Sequence, residues 1–129
     1  CFKHSYCLSY TNIKNYLKMS SQDQRVRQLK IKTGIVQRLH KEKKVYEKEL
    51  IQQEENILKM KNDGADEYDI RKQVEVKNES AAMIPDSIRR LKKACDDLVN
   101  LLETENDLSE VEEYIAAQNV LQEATAELN

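Results

Sequence analysis

The residues able to do covalent or metal chemistry are few, and their spacing does not bring them together. The chain has two histidines, His4 and His40. His40 borders an apolar helical stripe, where a packed or half-exposed imidazole is the ordinary reading and a general base would need a partner. Cys1, Cys7 and Cys95 are odd in number and lack metal-ligand spacing, so neither a disulfide framework nor a zinc site follows. Cys95 falls at a core position, where it acts as a small apolar residue rather than a nucleophile. Glu54-Glu55 and Glu112-Glu113 are adjacent carboxylates of solvated helix faces, and Gly34 and Gly64 stand alone, without a phosphate loop around them. The expectation is a protein that is not an enzyme and holds no metal or cofactor. The cysteine usage fits a reducing, cytosolic setting.

Charge is more informative. Residues 25 to 48 carry nine basic and two acidic side chains, a local charge of +7, whereas residues 101 to 129 carry eight acidic and no basic ones. Two readings compete. The charges can pair within the fold, each surface pair contributing only about 0–1 kcal/mol. Alternatively, a basic face meets an acidic partner. Nucleic acid would use the same charges, but interleaved aromatics are missing and the net charge is −2, which argues against it. No apolar run approaches the length of a membrane-crossing helix.

These charges must be positioned by helices. Of 129 residues, 40% are hydrophobic and 34% charged, with two glycines, one proline and no tryptophan, too few turn formers for a β-sandwich. A first helix is expected from Asp23, with Leu29, Val36, Leu39, Tyr46, Leu50, Ile57 and Met60 on one heptad stripe that also takes in Lys32, Lys43 and Gln53. A second places Ile70, Val74, Ala81, Ile84, Ile88, Leu91, Cys95, Leu98 and Leu102 on its stripe, interrupted by Lys77. A third and shorter one carries Leu108, Val111, Ile115, Leu121, Ala124 and Leu128. "NDGAD", residues 62 to 66, reads as a helix stop and turn, and Asp107 or Ser109 could found a capping box for the third helix. The short connections predict an all-α, antiparallel up-down-up three-helix bundle.

Pro85 lies inside the second helix, where a proline removes a hydrogen bond and costs roughly 3 kcal/mol. Counting turns from the end of the second helix places it level with the last turn of the third, where three-helix packing gives way to a two-helix hairpin. A kink is expected there. Residues 1 to 18 contain no acidic residue and hold four of the seven aromatics, and Met19 with "SSQDQ" looks like an ordinary start. The expectation is a disordered leader over residues 1–18, upstream of a domain at residues 19–129.

"RVRQLKIKTGIVQRLHKEK", "VYEKE", "YDIRKQ" and "MIPDSIRRL" resemble the tubulin-specific chaperone A (tubulin-folding cofactor A) family. The resemblance runs from about Asp23 to the end. It implies a small three-helix bundle that captures and holds β-tubulin after chaperonin release, for assembly into the tubulin heterodimer, without nucleotide or metal. It also implies a cytoplasmic, cytoskeleton-associated monomer, with other tubulin-folding cofactors as candidate partners and neither nucleic acid nor membrane. Tubulin is acidic, so the resemblance and the charge pattern together nominate Arg25, Arg27, Lys30, Lys32, Arg38 and Lys41 for partner binding, with Tyr68, Arg89 and Arg90 as lesser candidates. The competing expectation is a coiled-coil structural adaptor of a cytoskeletal or trafficking complex, which would associate through its own apolar stripe.

Overall fold

A computed structural model of the chain describes residues 2–128, with side chains from residue 21 onward. The described residues are all-helical, without a strand: α1 spans Phe2–Asn62, α2 Glu67–Thr104 and α3 Glu112–Leu128, with one 3-10 turn at Asn106–Leu108. Asp23 lies inside α1 and does not cap it. From Ile13 to Leu29 there is neither glycine nor proline, so the change of composition at Met19 brings no helix stop with it. The leader expected over residues 1–18 falls on side chains outside the described residues.

The stop after α1 is built as "NDGAD" predicts. Gly64 adopts φ 73°, the left-handed conformation that costs glycine least. The Ala65 N–H donates to the Met60 carbonyl at 3.0 Å and the Gly64 N–H to that of Lys61 at 3.3 Å, the paired bonds of a Schellman stop. Asp66 then precedes α2 in extended conformation (ψ 139°), and Glu67 and Asp69 set negative charge against the positive end of its dipole.

The start of α3 departs from expectation. Neither Asp107 nor Ser109 forms a capping box. Residues 106–108 wind into the 3-10 turn, and the carbonyl that accepts the first α3 bond, from the Ile115 N–H at 3.2 Å, belongs to Val111. Asp107 is taken away from capping by Arg25, to which its carboxylate is hydrogen-bonded. The buried face of α3 shifts accordingly, to Tyr114, Ala117 and Ala124, while Ile115 is 47% exposed. Tyr114 fixes that rotation, because its hydroxyl donates to the Leu102 carbonyl near the end of α2 at 2.9 Å.

The core joins Leu29, Val36 and Leu39 of α1 to Leu91, Cys95, Leu98 and Leu102 of α2 and to Leu108, Tyr114, Ala117 and Ala124. All buried residues of α2 follow Pro85, the first being Ser87. The helix itself runs unbroken through the proline, which is solvent-exposed. On the other side of Pro85, residues 43–84 bury only Lys43 and Ile57; Tyr46, Leu50, Met60, Ile70, Val74 and Ile84 are half-buried.

Candidate functional site

Helix α1 touches both other helices, and this contact divides its basic residues into two sets. Arg25 is clamped between Glu105, the C-cap of α2, and Asp107, within the 3-10 turn that follows. Hydrogen bonds to Asp107 and then to Glu105 raise the guanidinium pKa, and the Arg25 bond holds Asp107 below the ordinary carboxylate range. Lys30 reaches Glu113 at 3.9 Å, Lys44 reaches Glu127 at 3.0 Å, and His40 Nε2 lies 2.6 Å from the same Glu127 carboxylate. His40, then Lys44, keep Glu127 below its usual pKa. Lys43, on the core stripe, is buried and pairs with Glu47 at 2.8 Å one turn along.

Arg27, Lys32, Arg38, Lys41 and Lys48 have no ion-pair partner among the described residues. Internal pairing therefore accounts for part of the +7 stretch and leaves the rest to solvent. Of the nominated residues, Arg25 and Lys30 belong to the internal set. Arg27, Arg38 and Lys41 are exposed at heptad-related positions of the outward face of α1. Lys32 turns toward α2 and lines a groove of about 290 Å³ with Arg38, Leu39, Arg90 and Asp97. Arg90 is thus brought to the basic helix, although it and Arg89 both donate to the Asp86 carboxylate, Arg89 from i+3 and Arg90 from i+4. Tyr68 is 59% exposed at the hairpin tip, beneath Lys72, whose ammonium lies 5.5 Å from the ring centroid. From Arg25 to Met60 the α1 axis rises about 50 Å, so Tyr68 and Arg25 do not share one patch.

The outward face has apolar members that the charge count alone did not single out. Ile31 is 46% and Val45 52% exposed, and they alternate along α1 with Arg27, Arg38 and Lys48. On the C-terminal side of Ile31, Gly34, Gln37, Arg38, Lys41, Glu42, Val45 and Tyr46 line an open groove of about 440 Å³, in which Glu42 is the one acid among the two cations. Gly34 is mid-helix, where glycine costs about 1 kcal/mol relative to alanine. A Cβ placed on it would meet nothing within 4 Å. Heptad positions counted outward from the core stripe would have revealed this set. The core positions themselves carry no reactive site: Cys95 is buried, and burial raises its thiol pKa. Among the described residues no cluster of metal-ligating side chains occurs, and no helix is long and apolar enough to cross a membrane.

A helical module presenting a mixed basic and apolar face belongs to the class of proteins that bind other proteins. Residues 24–121 match the family described as "Tubulin binding cofactor A". The chain is 58% identical over 99 residues to the tubulin-specific chaperone A of Homo sapiens, covering 77% of this chain and 92% of that one. It is 44% identical over 77 residues to the tubulin-folding cofactor A of Arabidopsis thaliana, covering 60% and 68%. The solved structure of human tubulin chaperone cofactor A superposes with a TM-score of 0.68 at 54% identity, over 78% of this chain and 98% of that one. The crystal structure of the Arabidopsis thaliana cofactor gives 0.70 at 36% identity, over 79% and 96%. The chain belongs to the tubulin binding cofactor A family.

Proposed function

We propose that this protein is a tubulin-folding cofactor that captures and holds β-tubulin folding intermediates after their release from the chaperonin, for assembly into the heterodimer. Family membership supports the tubulin partner. The observation that carries the mode of capture is the set of cations on α1 left without carboxylate partners, an electrostatic complement to an acidic protein. Arg27, Arg38 and Lys41 are its centre, Lys32 and Arg90 its flank, and Arg25 and Lys30 act indirectly by holding the helices in place. Tyr68 and Arg89 stand outside this surface and contribute at most a secondary contact.

The working form is a cytoplasmic monomer with helices running up-down-up. Ion pairs that join Arg25 to Glu105, Lys30 to Glu113 and Lys44 to Glu127 support that order. Residues 19–129 are the folding unit, and Pro85 bends α2 so that the hairpin and the bundle each pack at their own angle. The adaptor reading is less well supported, because the apolar stripes of the bundle core are buried within one chain. No enzymatic step and no cofactor is assigned.

Purified β-tubulin and the chain, mixed at rising ionic strength, provide the test. Association should slow as salt shortens the Debye length toward about 8 Å at physiological strength. Arg27→Glu, Arg38→Glu and Lys41→Glu together should slow it at least tenfold at low salt, with the melting temperature unchanged. Unaltered association in this variant would remove the basic face from the mechanism, and absence of any complex with the unmodified chain would remove the partner.

A further inference from the structure

The outward face of α1 combines three features that the fold itself does not use. Arg38, Lys41 and Lys48 are exposed and without carboxylate partners among the described residues. Ile31 and Val45 hold apolar surface in water on the same face. Gly34 leaves a gap between them that no neighbour in the chain fills. A missing side chain lowers the distance at which a second helix axis can cross, because interaxial separation is set by the side chains at the contact.

We infer that this face seats an acidic amphipathic helix, which crosses α1 at Gly34, lays apolar side chains against Ile31 and Val45, and sets carboxylates against Arg38 and Lys41. The inference rests on the proposal that the partner is acidic tubulin and names the kind of segment that docks. An extended peptide is disfavoured, since the described residues offer no sheet edge to pair its backbone, whereas apolar anchors separated by four turns of α1 suit a helix in a groove. Arg and Lys beside exposed aliphatics, with the half-buried Tyr46 as the single aromatic lining the groove, fit a protein segment better than single-stranded RNA, whose successive bases stack on several aromatics.

A soluble three-heptad peptide with leucine at its a and d positions and glutamate elsewhere is the first probe, read by fluorescence anisotropy. The full chain should bind it, and a scrambled peptide of the same composition should bind at least about tenfold more weakly. Gly34→Leu, which fills the gap on an exposed surface, should weaken binding about tenfold without lowering the melting temperature. Gly34→Ala, whose methyl group the helix accommodates without contact, should weaken it less, which keeps the test informative if the leucine variant folds poorly. Equal affinity of both glycine variants and the unmodified chain overturns the inference. So does equal binding of the scrambled peptide, preferential binding of oligouridylate, or self-association of the chain that competes with the peptide.

Purified β-tubulin is the second probe. If the unmodified chain captures it and Gly34→Leu captures it equally well, the tubulin reading stands and the helical seat fails. If the peptide results hold but no tubulin is captured, the seat stands and the tubulin reading fails.

Discussion

The stretch of α2 after Pro85 and the stretch before it are built on the same apolar heptad, yet they are packed differently. After the proline, Leu91 and Leu98 are fully buried between two partner helices. Before it, Ile70, Val74 and Ile84 keep part of their surface in water, because α1 alone covers them. The facing α1 stripe changes in step, from Leu29, Val36 and Leu39 to a segment that admits Lys43 and Gln53. A two-helix seam leaves edges where a lysine can reach a carboxylate, as Lys43 reaches Glu47, while a three-helix core closes those edges. An unbroken sequence pattern therefore does not imply uniform stability.

The largest test of this contrast is a pair of truncations. Leu98→Ala should cost about 3 kcal/mol, within the range for a leucine removed from a closed core, and Leu50→Ala on the hairpin about 1 kcal/mol. Urea unfolding would measure both, and equal losses would show that the hairpin core is as well packed as the bundle core.

Pro85→Ala should come next. It restores a backbone donor at the border between the two packings and should stabilise by about 1 kcal/mol, below the host value of roughly 3 because the site is adapted to proline. Tubulin capture should fall if the hairpin angle matters for binding. Higher stability with unchanged capture would confine the proline to a tolerated cost, and lower stability would make the proline part of the packing.

Lys43→Met addresses the α1 stripe where three helices give way to two. Exchanging a buried ammonium for an apolar side chain of similar length should leave stability unchanged or raise it by up to about 1 kcal/mol. A clear loss would mean that the pair with Glu47 specifies the register of the hairpin.

The smallest effect is a pH dependence tied to the bundle end. Asp107 and Glu127 titrate below their ordinary values of 3.8 and 4.5 because Arg25 binds the first and His40 and Lys44 the second. A depressed carboxylate adds stability above its unfolded pKa and loses it as pH falls through the folded one. The urea midpoint should therefore fall as pH drops below about 4.5, and Glu127→Gln should shrink that fall. An unchanged acid profile in Glu127→Gln would leave Asp107 and the other carboxylates as its cause.

Local signals were the most legible in the sequence. Gly64 among Asn and Asp residues marked the end of α1, and the heptad of α2 was recovered with none of its core positions exposed. The start of α3 was not legible. Asp107 has the spacing of a capping residue, but the choice between capping and pairing was decided by Arg25, 82 residues away. Ile115 has the hydropathy of a core residue and was displaced by Tyr114, whose hydroxyl finds a carbonyl in α2. The basic stretch was evident as charge, but its division into internal and free cations depends on which helix lies alongside each turn. Gly34 meant little until the space around it was known.

The contacts of His40 and Lys44 with Glu127 mark where α3 ends along α1, and from Lys44 to Met60 two helices continue about 25 Å without a third. Mechanically this is a cantilever, and its root is where Pro85 offers α2 no N–H donor and where the buried Ser87 hydroxyl has no hydrogen-bond partner. A beam with its weakest section at the root converts small rotations into large displacements at the free end. A swing of about 5° there moves the tip by roughly 2–3 Å, enough to change which contacts Tyr68 can make while the bundle core stays fixed.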